Sequence, residues 1–264
     1  MNIPAVAFLI SIIIIGAIIY SLARRKKPLS QPAVETERKI LLEHVIFFQK
    51  LPPKEKLRFE AALRQFLQSV QITGVKTMVE DMDRIFIAAA AIIPIFAFKN
   101  WQYNNIHEIL LYPGSFDKDY RLSGNGRDTL GMVGNGPMQN VMILSREELR
   151  NGFLMKSSKS NTAIHEFVHL TDKMDGDTDG MPAALLPHMY ALPWLQRMHK
   201  EIQLIEAGKS DINPYAATNE AEFLAVTAEY FFEQPHLLQQ KHPALYSMLQ
   251  QIFNPLTVEK SNDN

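Results

Sequence analysis

The chain has no cysteine among its 264 residues. That excludes disulfides and thiolate metal sites, and leaves histidine and carboxylates as the strong metal ligands. Freedom from cysteine also fits a reducing compartment without demanding one. An excess of charge of either sign is missing too: 27 Lys and Arg stand against 28 Asp and Glu, for a formal net charge of -1. Without a basic footprint there is nothing to hold a phosphate backbone, so no nucleic-acid partner is expected. Internal repeats are absent, and long uncharged runs are scarce.

One such run does occur, at residues 3–23, with 21 residues and no charge. A helix needs about 20 residues to cross the hydrocarbon core. Arg24-Arg25-Lys26-Lys27 follows directly, and basic residues stay on the cytoplasmic side. The expectation is a single-pass anchor in the inner (cytoplasmic) membrane, with everything after Lys27 in the cytoplasm. A cleaved signal peptide fits less well, because no basic segment precedes the apolar run. Residues 1–27 then form the anchor, 28–34 a polar linker, 35–255 the main domain and 256–264 a disordered tail. A second apolar run, residues 85–98, is shorter and is interrupted by Pro94, which suits a buried core helix rather than a span.

Within the domain, apolar spacing predicts helices over 35–50, 55–70 and 81–96. Short apolar segments at 108–112, closed by Pro113-Gly114, and at 140–144 read as strands. The Gly- and Asn-rich stretch 124–137 reads as loop. Ser145 with Glu147 and Glu148 marks a helix start, and further helices are expected over 160–171, 194–206, 219–232 and 243–253. Helices flanking a small sheet make the fold α+β.

The chemistry concentrates in His165-Glu166-Phe167-Val168-His169. Two histidines four residues apart on a helix share a face and can grip one ion. Glu166, next to the first of them, can reach a metal-polarised water and accept its proton. A third ligand is needed. One candidate is Asp175, in a loose match to H-E-x-x-H-x-x-G-x-x-H in which Asp172 stands where the pattern has Gly. The other, favoured, is Glu222 on the helix 219–232, where Glu222 and Glu229 share a face. Glu229 or Asp172 could then orient an imidazole. Tyr215, in the turn Asn213-Pro214-Tyr215, reads by itself as a surface aromatic, although a phenol there could also donate to a developing oxyanion.

With these residues in hand, the chain resembles the Mlc titration factor A family of anti-repressor zinc peptidases. Three blocks carry the resemblance: Ile106-His107-Glu108-Ile109-Leu110-Leu111-Tyr112-Pro113, the histidine motif with Leu170 and Asp172, and Tyr215-Ala216-Ala217-Thr218-Asn219-Glu220-Ala221-Glu222-Phe223. The last continues through Ala225-Val226 and Glu229-Tyr230-Phe231-Phe232. The resemblance as a whole runs from about Lys54 to about Pro243.

The resemblance implies a zincin-like metallopeptidase domain, mostly helical with a small sheet. It implies Zn2+ held by His165, His169 and Glu222, with Glu166 as catalytic base and Tyr215 as transition-state donor. A similar Tyr-to-Glu spacing in the catalytic domain of anthrax lethal factor favours Glu222 over Asp175. It also implies an edge strand that aligns extended peptide, for which 140–144 is the candidate.

The expected function is therefore a membrane-anchored zinc peptidase acting on peptides or proteins. The alternative is a regulatory protein that sequesters a transcriptional repressor, with weak or no catalysis. The apolar N-terminal run departs from the family's soluble members.

Overall fold

The computed structural model describes residues 31–99, 101–115, 131–133, 140–186 and 188–254. The chain divides into two units, Met1–Thr36 and Glu37–Asn264, and apart from the start of the first helix every feature discussed below lies in the second. The expected anchor at 3–23, its basic flank and the expected tail at 256–264 lie outside the described residues. Among the described residues, no helix is long and apolar enough to cross a membrane.

Helix α1 (Gln31–His44) begins inside the segment read as linker, and Pro32 sits in its first turn, where a missing N–H costs nothing. The expected helix 35–50 is broken at Val45, whose backbone is extended, before the short α2 (Ile46–Lys50). Helix α3 (Pro53–Ser69) leads into strand β1 (Gln71–Gly74), which is too short to show a period in the sequence.

Helix α4 (Asp81–Ile95) is the apolar run of the sequence. A capping box of Glu80 and Asp83 starts it, and every residue from Ile85 to Ile95 is buried. It is the central core helix, as its length and Pro94 indicate. Phe86 stacks on Phe153 with ring centroids 4.6 Å apart, and Tyr103 donates to the Ala91 carbonyl over 2.9 Å.

The sheet is mixed, in the order β1-β2-β4-β3. Strands β1, β2 (Glu108–Tyr112) and β4 (Val141–Ser145) run parallel, and β3 (Gly131–Val133) pairs antiparallel with β4. The segment 140–144 is therefore not the edge strand. Its four successive buried residues, Met142 to Ser145, are what a strand covered on both faces shows. The edge on that side is β3, three residues inside a stretch whose glycine and asparagine content reads as loop.

Ser145 closes β4 and caps α5 (Arg146–Leu154), accepting from Glu148 N at 3.3 Å. Helix α6 (Thr162–Asp172) is capped by Asn161, whose Oδ1 accepts from Ile164 N. Its Ile164, Phe167 and Val168 are fully buried, and Phe167 meets Phe66 edge-on at 5.6 Å. Each such side chain contributes about 1.5–3 kcal/mol on burial, which fixes the rotation of α6 and leaves the other face to the site. Helix α7 (Ala191–Glu206) precedes α8 (Glu220–Glu233), which Asn219 caps. Helices α9 (Pro235–Lys241) and α10 (Pro243–Phe253) follow.

The far end of α8 is clamped by Asp211. Its carboxylate accepts from Tyr230 Oη at 3.0 Å, Lys159 Nζ at 2.6 Å, Lys241 Nζ at 2.8 Å and His242 Nε2 at 2.7 Å. Burial alone would raise the Asp211 carboxyl, but these partners hold it well below the usual carboxylate range. The other ring nitrogen of His242 lies 3.4 Å from Glu201. Glu201 first, against the effect of burial, and then Asp211 raise the imidazole above its ordinary value. A raised folded-state value means the contribution is complete below about pH 6.5 and is lost as pH rises through the folded value.

His242→Gln should accordingly cost about 2 kcal/mol near pH 6 and progressively less toward pH 9. Thermal unfolding of both proteins across that range tests this, and a deficit that does not vary with pH would remove charge from the explanation.

Candidate metal centre

Helices α6 and α8 pack side by side and between them build the site. His165 and His169, one turn apart on α6, face Glu222 in the first turn of α8. His165 Nε2 lies 2.9 Å from Glu222 Oε2 and 3.0 Å from His169 Nε2, and His169 Nε2 lies 3.5 Å from the same carboxylate oxygen. Two imidazole nitrogens facing each other at 3.0 Å repel unless a proton or a cation sits between them.

Ligands about 2.1 Å from a tetrahedral ion stand about 3.4 Å apart, and the three separations here fall close to that. Among the described residues these three are the group of ligating atoms that could hold one metal ion, all within 4.8 Å of one another. An N2O donor set of this kind suits zinc.

Asp175, the other sequence candidate, is exposed at the end of a short 3-10 turn and accepts from Asp177 N. The structure does not bring it to the histidines. The loop carrying it turns away, because Asp172 remains helical and Gly176 then takes φ +112°.

Behind the ligands, Glu229 orients His165. Its Oε1 lies 2.8 Å from His165 Nδ1, while its Oε2 accepts from the backbone N–H of Asn161. That arrangement sets the tautomer and leaves Nε2 free to face Glu222. Asn161 also donates to Glu233 Oε1 at 3.0 Å. Burial pushes Glu233 up to about 7.

Asp172 does not hydrogen-bond an imidazole. Its Oδ2 accepts from Gly180 N at 2.8 Å, and Trp194 Nε1 donates to the Gly180 carbonyl. Gly180 has φ +74°, and a Cβ there would lie 2.3 Å from the Glu220 carbonyl oxygen. Only glycine allows this loop to lie against the start of α8.

Burial works to lower the His165 imidazole, but the carboxylates of Glu222 and Glu229 outweigh it and push it up to about 10. Burial likewise works to raise Glu222, and its hydrogen bonds to His165 and His169 instead hold it far below the usual carboxylate range. Such values describe a site that pulls a positive charge between its three donors.

Glu166 is buried beside them and has no hydrogen bond among the described residues. Burial raises its carboxyl, against the pull of His165 and His169. It lies against β3: a Cβ on Gly131 would come within 2.7 Å of Glu166 Oε1. Tyr215 is half exposed, with its ring 6.2 Å from that of His165. Burial, then the charges of Glu222 and Glu166, raise its phenol. All of these residues border one open cleft of about 860 Å³.

Comparison with known proteins carries the assignment further. The family model for glucose-regulated metallo-peptidase M90 matches residues 20–254. The chain belongs to that metallopeptidase family. It is 29% identical to Mlc titration factor A of Pectobacterium atrosepticum over 260 residues, covering 89% of this chain and 93% of the relative. It is 29% identical to Mlc titration factor A of Escherichia fergusonii over 233 residues, 81% and 85% of the two chains. An uncharacterised protein of Synechocystis is 28% identical over 241 residues, 87% of each chain.

The histidine motif pointed to His165, Glu166 and His169, and the family resemblance to Glu222 and Tyr215; neither pointed to Gly131, Gly180 or the Asn161–Glu233 contact. No sequence signal marks Gly131, because its strand is too short to show alternation.

Glu229→Gln should weaken metal binding by roughly 10- to 100-fold, the usual effect of losing a partner that orients a ligand. Competition with a chromophoric chelator measures it, and unchanged affinity would show that His165 is oriented by packing alone.

Proposed function

We propose that this chain is a zinc-dependent peptidase in which His165, His169 and Glu222 hold the ion. The observation that carries the reading is the convergence of these donors beside a buried Glu166 carboxylate that no described residue hydrogen-bonds. Zinc bound there would lower the pKa of water toward about 7 and polarise the scissile carbonyl.

The protein's own groups perform the rest. Glu166 takes the proton from the attacking water and hands it to the departing amine nitrogen, forming a carboxylic acid and a free amine. Its raised carboxyl suits both roles, because a base whose pKa lies nearer neutrality also returns its proton readily. The phenol of Tyr215 donates to the oxyanion as the carbonyl carbon becomes tetrahedral. The edge of β3 that no described strand covers, with Gly131 against Glu166, would offer main-chain groups to an extended peptide.

A second reading draws on the relatives named Mlc titration factor A. In that reading the same domain sequesters a transcriptional regulator, and hydrolysis is weak or dispensable. The two differ in what Glu166 contributes. The uncharged run at 3–23 and the basic residues after it support a membrane tether that leaves the site on the cytoplasmic side.

Glu166→Gln should reduce peptide hydrolysis by roughly 10²- to 10⁴-fold with about one zinc per chain retained. Stoichiometric zinc with no cleavage of any member of a broad peptide library would sink the peptidase reading. A variant that still captures the regulator would favour the second. The full chain should remain with membranes through an alkaline carbonate wash, and release into the supernatant would remove the tether.

A further inference from the structure

A second cavity, of about 700 Å³, lies at the opposite end of α8 and shares no lining residue with the metal cleft. Its floor is aromatic: Phe47 of α2, Phe96 after α4, Phe231 and Phe232 of α8, and Phe253 of α10. These rings pack in edge-on and tilted pairs 5.1–6.2 Å apart. The cavity's volume lies within the range of about 300–1,000 Å³ typical of small-molecule sites.

The rim carries charge of one sign. Lys50, Lys54, Lys99 and Arg58 border the opening, with Glu55 as the one acid. Glu55 is taken up by Arg58 at 2.7 Å. Arg58 also lies 3.6 Å from the centre of the Phe96 ring and donates to the Phe96 carbonyl, so it is held as part of the wall. Lys50 is drawn electrostatically toward Glu233. Lys54 and Lys99 are exposed and make no ion pair or hydrogen bond with any described residue. Four cations against one acid leave the mouth at +3. The fit is to a molecule with an alkyl body and a small anionic head.

We propose that this cavity binds a free long-chain carboxylate, its alkyl chain among the five phenylalanines and its carboxylate at Lys54 and Lys99. A nucleotide or sugar phosphate would fit the charge but not the floor of five phenylalanines, where Asn254 is the one uncharged polar side chain among the lining residues. The site stands apart from the metal centre, so the proposal does not depend on the peptidase reading.

Equilibrium dialysis of radiolabelled dodecanoate against the metal-loaded full chain in neutral phosphatidylcholine nanodiscs tests it, with empty nanodiscs as the blank. Saturable binding of about one equivalent per chain is expected. Reversing both Lys54 and Lys99 to Glu should weaken it about tenfold or more, with the loss shrinking at high salt. Dodecanol, which has the chain without the charge, should bind about tenfold more weakly than dodecanoate.

Ala97→Trp, which fills the hollow from its partly buried wall, should abolish binding while the thermal midpoint and metal content stay unchanged. If that variant proves unstable, the lysine reversals decide, because both side chains are exposed. The proposal falls if binding does not exceed the blank, if the reversals leave it unchanged, or if dodecanol binds as well as dodecanoate. It also falls if deleting residues 255–264 is needed before any dodecanoate binds, which would assign the cavity to the chain itself.

Discussion

The carboxylate of Glu229 joins the two halves of the site. One of its oxygens takes the orphan backbone N–H of Asn161 at the start of α6, and the other lies against the Nδ1 of His165 one turn later. A helix start must find partners for its unpaired N–H groups, and a metal-ligating imidazole must have its other nitrogen fixed. One side chain on α8 meets both needs. The rotation of α6, set by Ile164, Phe167 and Val168 in the core, is thereby locked to α8, which also presents Glu222.

That economy has an electrostatic cost. Glu166, Glu222, Glu229, Glu233 and Asp172 crowd one partly dry region around two histidines. Buried carboxylates are tolerated when paired or when they surround a cation. Burial raises the carboxyls of Glu166, Asp172 and Glu233, while the carboxylates of Glu222 and Glu229 raise the His165 imidazole against it. A divalent ion among the three donors answers the same imbalance more completely.

Much of this was legible in the sequence. The spacing of His165 and His169 already places them on one helical face, the length of the 85–98 run marks a core helix, and Ser145 with the acids after it marks the start of α5. The choice between Asp175 and Glu222 was not open to spacing alone, because it depends on which way the chain leaves α6. In the structure Asp175 is exposed beside a left-handed glycine at 176, and Glu222 is the carboxylate that lies by the histidines. Strand β3 escaped for a different reason. Its three residues are ordered by pairing with β4, a long-range contact that leaves no local signal, so β4 looked like the edge. Tyr215 read as a surface aromatic and is indeed half exposed; only its place beside His165 and Glu222 gives that exposure a purpose.

Gly131 brings main chain within contact of the Glu166 carboxylate, and a bare backbone is a costly wall. Glycine gives up more conformational freedom on ordering than any other residue, roughly 0.5–1 kcal/mol beyond alanine. A three-residue edge strand has few contacts with which to offset that loss. The strand that flanks Glu166 is therefore expected among the first parts of the sheet to open in native-state fluctuations. Entry to the cleft on that side would then be governed by the local stability of one short strand, with no need for hinged domains.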